Sequence, residues 1–171
     1  MVNIKSYKED VVNWIKVEKS GIVDIDQLYV KIWEWFQRSG FMAHEKIETV
    51  KVLPQGNEIK IEWGGYRKVD DYVNFWINAE IWSLRTVDVF VKIQGEKVKK
   101  QKADFEIRFK SWYEKDYNHH FKRLGKFGDF IRQIYEKYFI KERLMMYEDK
   151  LRKETFELQN IAKMILDAIV T

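Results

Sequence analysis

Tyr72-Val-Asn-Phe-Trp-Ile-Asn-Ala-Glu-Ile-Trp82 alternates without interruption. Successive side chains of an extended chain point to opposite faces. Val73, Phe75, Ile77, Ala79 and Ile81 therefore share one side, and Tyr72, Asn74, Trp76, Asn78, Glu80 and Trp82 share the other. No helical period fits this run, so it sets the fold as a sheet with one apolar face. The same period continues downstream. Val87, Val89, Val91 and Ile93 stand opposite Thr86, Asp88, Phe90 and Lys92; Gln94-Gly95-Glu96 turns the chain; Ala103, Phe105, Ile107 and Phe109 then form an inward row opposite Asp104, Glu106, Arg108, Lys110 and Trp112. Upstream, after the turn signal Pro54-Gln-Gly-Asn57, Ile59, Ile61 and Trp63 alternate with Glu58, Lys60 and Glu62. The connections are too short for parallel crossovers, which makes these strands antiparallel neighbours in a meander.

Farther out on both sides the pattern changes. Val11 to Val17 reads as a first strand, ended by Ser20-Gly21. Asp24 or Asp26 then caps a helix in which Ile25, Leu28, Ile32, Trp35 and Phe36 recur at spacings of three and four, and Gly40 supplies the left-handed C-cap. Beyond Tyr117, Phe127, Ile131, Ile134 and Tyr138 mark one helix. Leu144, Tyr147, Leu151, Leu158, Ile161, Ile165 and Ile169 mark another, from about Lys141 to Val170 and roughly 45 Å long. That length exceeds the expected width of the sheet, and the charged stretch Glu148 to Glu157 is expected to run in solvent or meet a partner. The expectation is one α+β domain over residues 1–171: an antiparallel meander of about five to six strands, spanning about 11–113, with one face covered by the early helix and by C-terminal helices at about 120–170.

Composition removes several function classes. The chain has no cysteine, which excludes a disulfide framework, a thiolate metal site and a cysteine nucleophile. No apolar leader and no run long enough to span a bilayer occurs, so a cytoplasmic protein without a membrane span is expected. The formal net charge of +4 permits contact with nucleic acid without arguing for it. Seven Trp, nine Tyr and eleven Phe are more large rings than one core absorbs, so some are expected at a working surface.

The element order of strand, helix, antiparallel run and C-terminal helices resembles the helix-grip arrangement of START-like proteins. The Lys- and Ile-rich, cysteine-free text, with segments such as Trp63-Gly-Gly-Tyr-Arg-Lys-Val-Asp-Asp-Tyr72, resembles small archaeal proteins. The first resemblance implies a carrier of an apolar small molecule, with Phe75, Ile77, Val89 and Phe105 lining the cavity.

The outward sheet face draws most attention. Trp76, Trp82, Phe90 and Trp112 stand among Arg108, Lys110, Asn74, Asn78 and Glu80, where a merely solvated face carries no large rings. A second copy, another protein, a ligand or the chain's own N-terminal or C-terminal segment is expected to cover them, and they are assigned as an interface or ligand face. Lys97, Lys99, Lys100 and Lys102, placed in the loop between two strands, are either phosphate contacts or a lysine-protected sheet end. His119-His120 with Asp116 and Glu114 has too few convergent ligands for zinc, and Asp70-Asp71 reads as a turn. No phosphate loop, nucleophile elbow or zincin helix occurs, so no catalytic residue, metal ligand or cofactor is assigned. The expected function is a non-enzymatic binding or assembly module, self-associating or docking on a larger complex through its aromatic sheet face and long terminal helix. The alternatives are the apolar carrier and RNA or ribosome association.

Overall fold

The computed structural model describes residues 7–168, apart from the side chain of Ile47. Strands β1 (Tyr7–Val23), β2 (Met42–Lys51), β3 (Asn57–Lys68), β4 (Val73–Ile93) and β5 (Glu96–Lys115) form one antiparallel sheet in the order β1-β5-β4-β3-β2. Helix α1 (Ile25–Arg38) connects β1 to β2, which lie at opposite edges. The dimensions agree. Its 14 residues extend about 21 Å, and four interstrand spacings amount to about 19 Å. Helix α1 is thus just long enough to carry the chain across the sheet.

Both ends of α1 follow the sequence. Asp24 is the N-cap, its Oδ1 accepting from the Gln27 N–H at 3.0 Å. At the other end the Phe41 N–H donates to the Phe36 carbonyl and the Gly40 N–H to the Gln37 carbonyl, with Gly40 at φ 72°. These paired bonds form the Schellman arrangement, which satisfies carbonyls that the helix leaves free. The five periodic residues Ile25, Leu28, Ile32, Trp35 and Phe36 are the buried ones. They meet Val73, Phe75, Ile77, Ala79 and Ile81 of β4 and Phe105, Ile107 and Phe109 of β5 in one hydrophobic cluster.

The C-terminal part contains a 3₁₀ turn (Lys122–Leu124), helix α2 (Gly125–Ile134), a π turn (Tyr135–Phe139) and helix α3 (Lys141–Asp167). Helix α3 is 27 residues long, about 40 Å, and packs on β1, β5 and α1. The stretch Glu148 to Glu157 does not run in solvent: Leu151 and Thr155 are fully buried within it. Glu154 accepts twice from the Arg67 guanidinium, at 2.7 and 3.0 Å, which ties α3 to β3. The expected continuation through Ile169 and Val170 lies outside the described residues.

Three further expectations are corrected. Ser20-Gly21 does not end the first strand: β1 runs to Val23 with Gly21 paired to Ala103, because glycine holds φ 127° inside the ladder at no steric cost. The turn between β4 and β5 is Gln94-Gly95 alone, both at positive φ, as a two-residue hairpin turn requires. Lys97, Lys99, Lys100 and Lys102 are therefore strand residues of β5, opposite Lys92, Phe90, Val89 and Val87.

The third correction concerns which face residues occupy. A β-bulge between Leu84 and Val87, with Arg85 at φ 52°, inserts one extra residue into β4. One residue of slip exchanges the faces of every side chain beyond it. Val89 pairs with Lys100 and joins the outward row of Trp82 and Leu84, while Phe90 pairs with Lys99 and joins the inward row. Val89 therefore does not line the space between sheet and helices, and Phe90 does not belong to the Trp-bearing face. Phe90 nevertheless stays 72% exposed.

Candidate functional site: the outward face of the sheet

Helices α1 and α3 cover the inward rows, and among the described residues no helix covers the outward rows. Pairing register builds the site. Tyr66, Trp76 and Trp112 are directly opposed on β3, β4 and β5 and so stand side by side on one face. Trp76 and Trp112 lie parallel within 2° at 5.8 Å between centroids, and Tyr66 meets Trp76 at 5.3 Å. Lys8 of β1 extends over Trp112 at 5.3 Å. The result is a continuous aromatic row across three strands. Tyr66 is a member that reading single strands does not reveal, because only the register aligns it.

A second aromatic group lies four to six residues along the strands. Lys60 stands over Trp82 at 4.5 Å, and the Arg108 guanidinium lies 4.6 Å from the Trp14 ring and 5.9 Å from that of Trp82. Arg108 also donates from Nε and a terminal nitrogen to Glu80 Oε2 at 2.8 and 2.6 Å. Glu80 is nearly fully buried, so this charge-assisted contact fixes the guanidinium plane beneath the rings. The indole N–H groups of Trp76, Trp82 and Trp112 are shielded from solvent and find no acceptor among the described residues.

Several other charges of the face are matched locally. Lys110 pairs with Asp10 at 3.2 Å, and Lys16 with Glu18 at 2.7 Å and Glu106 at 3.7 Å. Lys46 bridges Glu62 and the Asn78 side chain. Two open hollows flank Trp82 and Leu84: one of about 580 Å³ toward Glu18, Ser20 and Glu106, one of about 340 Å³ toward Thr49, Lys51 and Glu58.

The remaining sequence candidates fall elsewhere. Phe75 and Ile77 have no exposed surface and Phe105 almost none, all within the packed cluster under the helices. Lys99 pairs with Asp88 at 2.8 Å, and Lys100 with Asp24 beside the start of α1. Half of the lysine cluster is thus engaged internally. Asp116 is fully buried and accepts from the backbone N–H groups of His120, Phe121 and Lys122, so it shapes a turn and offers no acid to His119 or His120. Asp70 accepts from the N–H groups of Tyr72 and Val73 at 2.7 Å, the turn role its sequence suggested. Among the described residues no three His, Cys, Asp or Glu side chains group to hold a metal ion.

One polar cluster escaped the sequence reading. Glu136, in the π turn, accepts from Tyr72 Oη at 2.5 Å, from Arg132 at 2.8 Å and from Lys115 Nζ at 2.8 Å. Lys115, itself buried, also pairs with Glu9, which accepts from Tyr113 Oη. Burial presses the Glu136 pKa upward, but the hydrogen bonds from Lys115, Tyr72 and Arg132 outweigh it and hold the carboxyl below its ordinary value. Burial first, then the hydrogen bonds to Glu136 and Glu9, push the Tyr72 and Tyr113 phenols far above theirs. Apart from Arg132 Nε, which lies 3.7 Å from Asp129 without a hydrogen bond, these members satisfy one another, so the cluster is a tie between α2 and the strands. No motif announces it, since its residues are scattered from position 9 to position 136.

The chain is thus an α+β protein with a one-sided helical cover and an open aromatic sheet face. Its sequence matches no family model and no curated protein.

Proposed function

We propose that the protein is a non-catalytic assembly module that self-associates through the outward face of its sheet. The Tyr66–Trp76–Trp112 row carries this reading. The monomer buries these rings only in part, and covering the area that remains open would add apolar burial at roughly 25 cal/mol per Å² on side chains already held by rigid strands. Charge supports a protein partner over a polyanion. Arg108, Lys110, Lys16 and Lys46 already have acidic or amide partners on the same face, so a nucleic acid would release few counterions there. An aromatic surface with four of its cations already partnered fits another of its kind. A second copy supplies one by symmetry, each patch meeting itself about a two-fold axis.

The test is native mass spectrometry with sedimentation velocity on the full chain and on a Trp76→Ala/Trp112→Ala variant. The expected result is a dimer or closed oligomer without retained mass, which the double substitution converts to monomer while circular dichroism stays unchanged. A monomeric parent protein overturns the reading. A monomer retaining an apolar molecule moves the assignment to the carrier, and one retaining RNA to the nucleic-acid alternative.

A further inference from the structure

Helix α2 is mounted with its sides reversed. At 100° per residue, Phe127, Phe130, Ile131 and Ile134 fall within one arc of about 100°, a well-formed apolar side. Phe127 is 66% exposed and Phe130 60%, with Ile134 also open to solvent. The opposite side does the docking. Arg132 holds Glu136 and lies 3.8 Å over the Tyr7 ring, Tyr7 donates to Asp129, and Gly128 is buried where a Cβ would collide with the Phe121 carbonyl. The exposed apolar run continues on both sides: Leu124 precedes it, and Tyr138, Phe139, Met145 and Met146 follow, each more than half exposed.

Charge accompanies this surface. Residues 122–146 hold seven basic and three acidic side chains, an excess equal to the formal +4 of the entire chain. The acidic members are largely committed, since Asp129 accepts from Tyr7 and Glu136 is enclosed by Lys115, Tyr72 and Arg132. Arg123, Lys126 and Lys141 are exposed beside the apolar row. On the sheet face, by contrast, Arg108, Lys110, Lys16 and Lys46 have acidic or amide partners in place. Bulky apolar side chains outward, cations at the margin and a rigid polar attachment behind are the features of a helix that lies in a membrane interface.

We infer that α2 and its flanking turns form a peripheral membrane-docking surface for lipid bilayers of net negative charge. Phe127, Phe130, Leu124 and Ile134 enter the headgroup and acyl boundary, and Arg123, Lys126 and Lys141 meet the anionic headgroups. No helix among the described residues is long and apolar enough to cross a membrane, so the contact is one of surface docking. It involves none of the sheet tryptophans and is independent of self-association.

The experiment is co-sedimentation of the full chain with vesicles of phosphatidylcholine alone and with about one third phosphatidylglycerol. Binding to the anionic vesicles only is expected, weakened at least about tenfold by Phe127→Asp/Phe130→Asp and similarly by Arg123→Glu/Lys126→Glu or by high salt. Circular dichroism and thermal melting should be unchanged in the first variant, because its side chains face solvent, and Trp76→Ala/Trp112→Ala should bind vesicles as the parent does. Absence of binding to anionic vesicles overturns the inference. So does binding that survives Phe127→Asp/Phe130→Asp, which would leave charge alone as the cause. A change of oligomeric mass in that variant without vesicle binding would give the surface to a second copy.

Discussion

Helices α1 and α2 are amphipathic to a similar degree, yet the fold uses them in opposite senses. In α1 the apolar stripe is buried and Lys31, Glu34 and Arg38 face water. In α2 the apolar stripe faces water, and the polar side carries Arg132 into the body of the protein. The difference lies in what waits beneath each helix. Under α1 lie Phe75, Ile77 and Ile81, which reward burial of Leu28 and Ile32. Under α2 lie Tyr7, Tyr72, Lys115 and Glu136, whose buried polar atoms need partners, so a cation-bearing side docks better than an apolar one. Amphipathic period therefore establishes that a helix has two sides and leaves open which side the protein itself covers.

The contrast breaks most sharply at the apolar stripes. Leu28→Ala should destabilise the protein by about 3–4 kcal/mol, because a fully enclosed side chain leaves a cavity. Phe127→Ala should cost under ~0.5 kcal/mol. Urea denaturation of both variants checks this, and comparable losses would mean that the α2 stripe is covered within the monomer. Next in size is Arg132→Ala, which leaves Glu136 one donor short in a largely enclosed setting and should cost about 2–3 kcal/mol. Hydrogen exchange should locate that loss in α2, with α1 amides still protected; loss spread evenly over both helices would deny the polar tie its local role.

The smallest effect is pH-dependent. The folded-state pKa of Glu136 lies below its ordinary 4.5. A depressed carboxylate contributes stability that is fully present above the unfolded value and is lost as pH falls through the folded one. Acid should therefore release α2 before α1, in the window below about 4.5. Glu136→Gln should lower stability at neutral pH and flatten part of the acid limb, measured as melting temperature against pH. An unchanged acid limb would show that other carboxylates dominate it.

Residues that report their own environment were legible in the sequence. The stripe and caps of α1, the alternation from Val73 through Trp82 and the Asp70 turn all express local rules that the tertiary structure respects, whereas Tyr72, read with the outward row, precedes β4 and is buried in the core cluster. What escaped depends on partners. Val89 and Phe90 carry no sign that Arg85 adds a residue to β4, because a bulge is paid for by the neighbouring strand's register. Tyr66 joins Trp76 only through pairing, and Glu136 meets Lys115 and Tyr72 only after the π turn is wound. Trp76, Trp112 and Arg108 were placed on the correct face because they precede the bulge or lie on the unbulged strand.

The strand order carries a consequence for biosynthesis. Tyr7 pairs with Lys115 and Val23 with Gln101, so among the described strands β1 hydrogen-bonds only to β5, which is made much later. At roughly 5–20 residues per second, β1 waits on the order of 5–20 s after emerging before β5 is complete to receive it. The rest of the sheet grows by hairpins with near neighbours and can zip as it appears, while β1 remains an unpaired strand with ladder groups open to any passing edge. Closure of β1 onto β5 is a pairing of large sequence separation and completes the floor on which α3 rests, so this slow, long-range step of folding must precede the docking of α3.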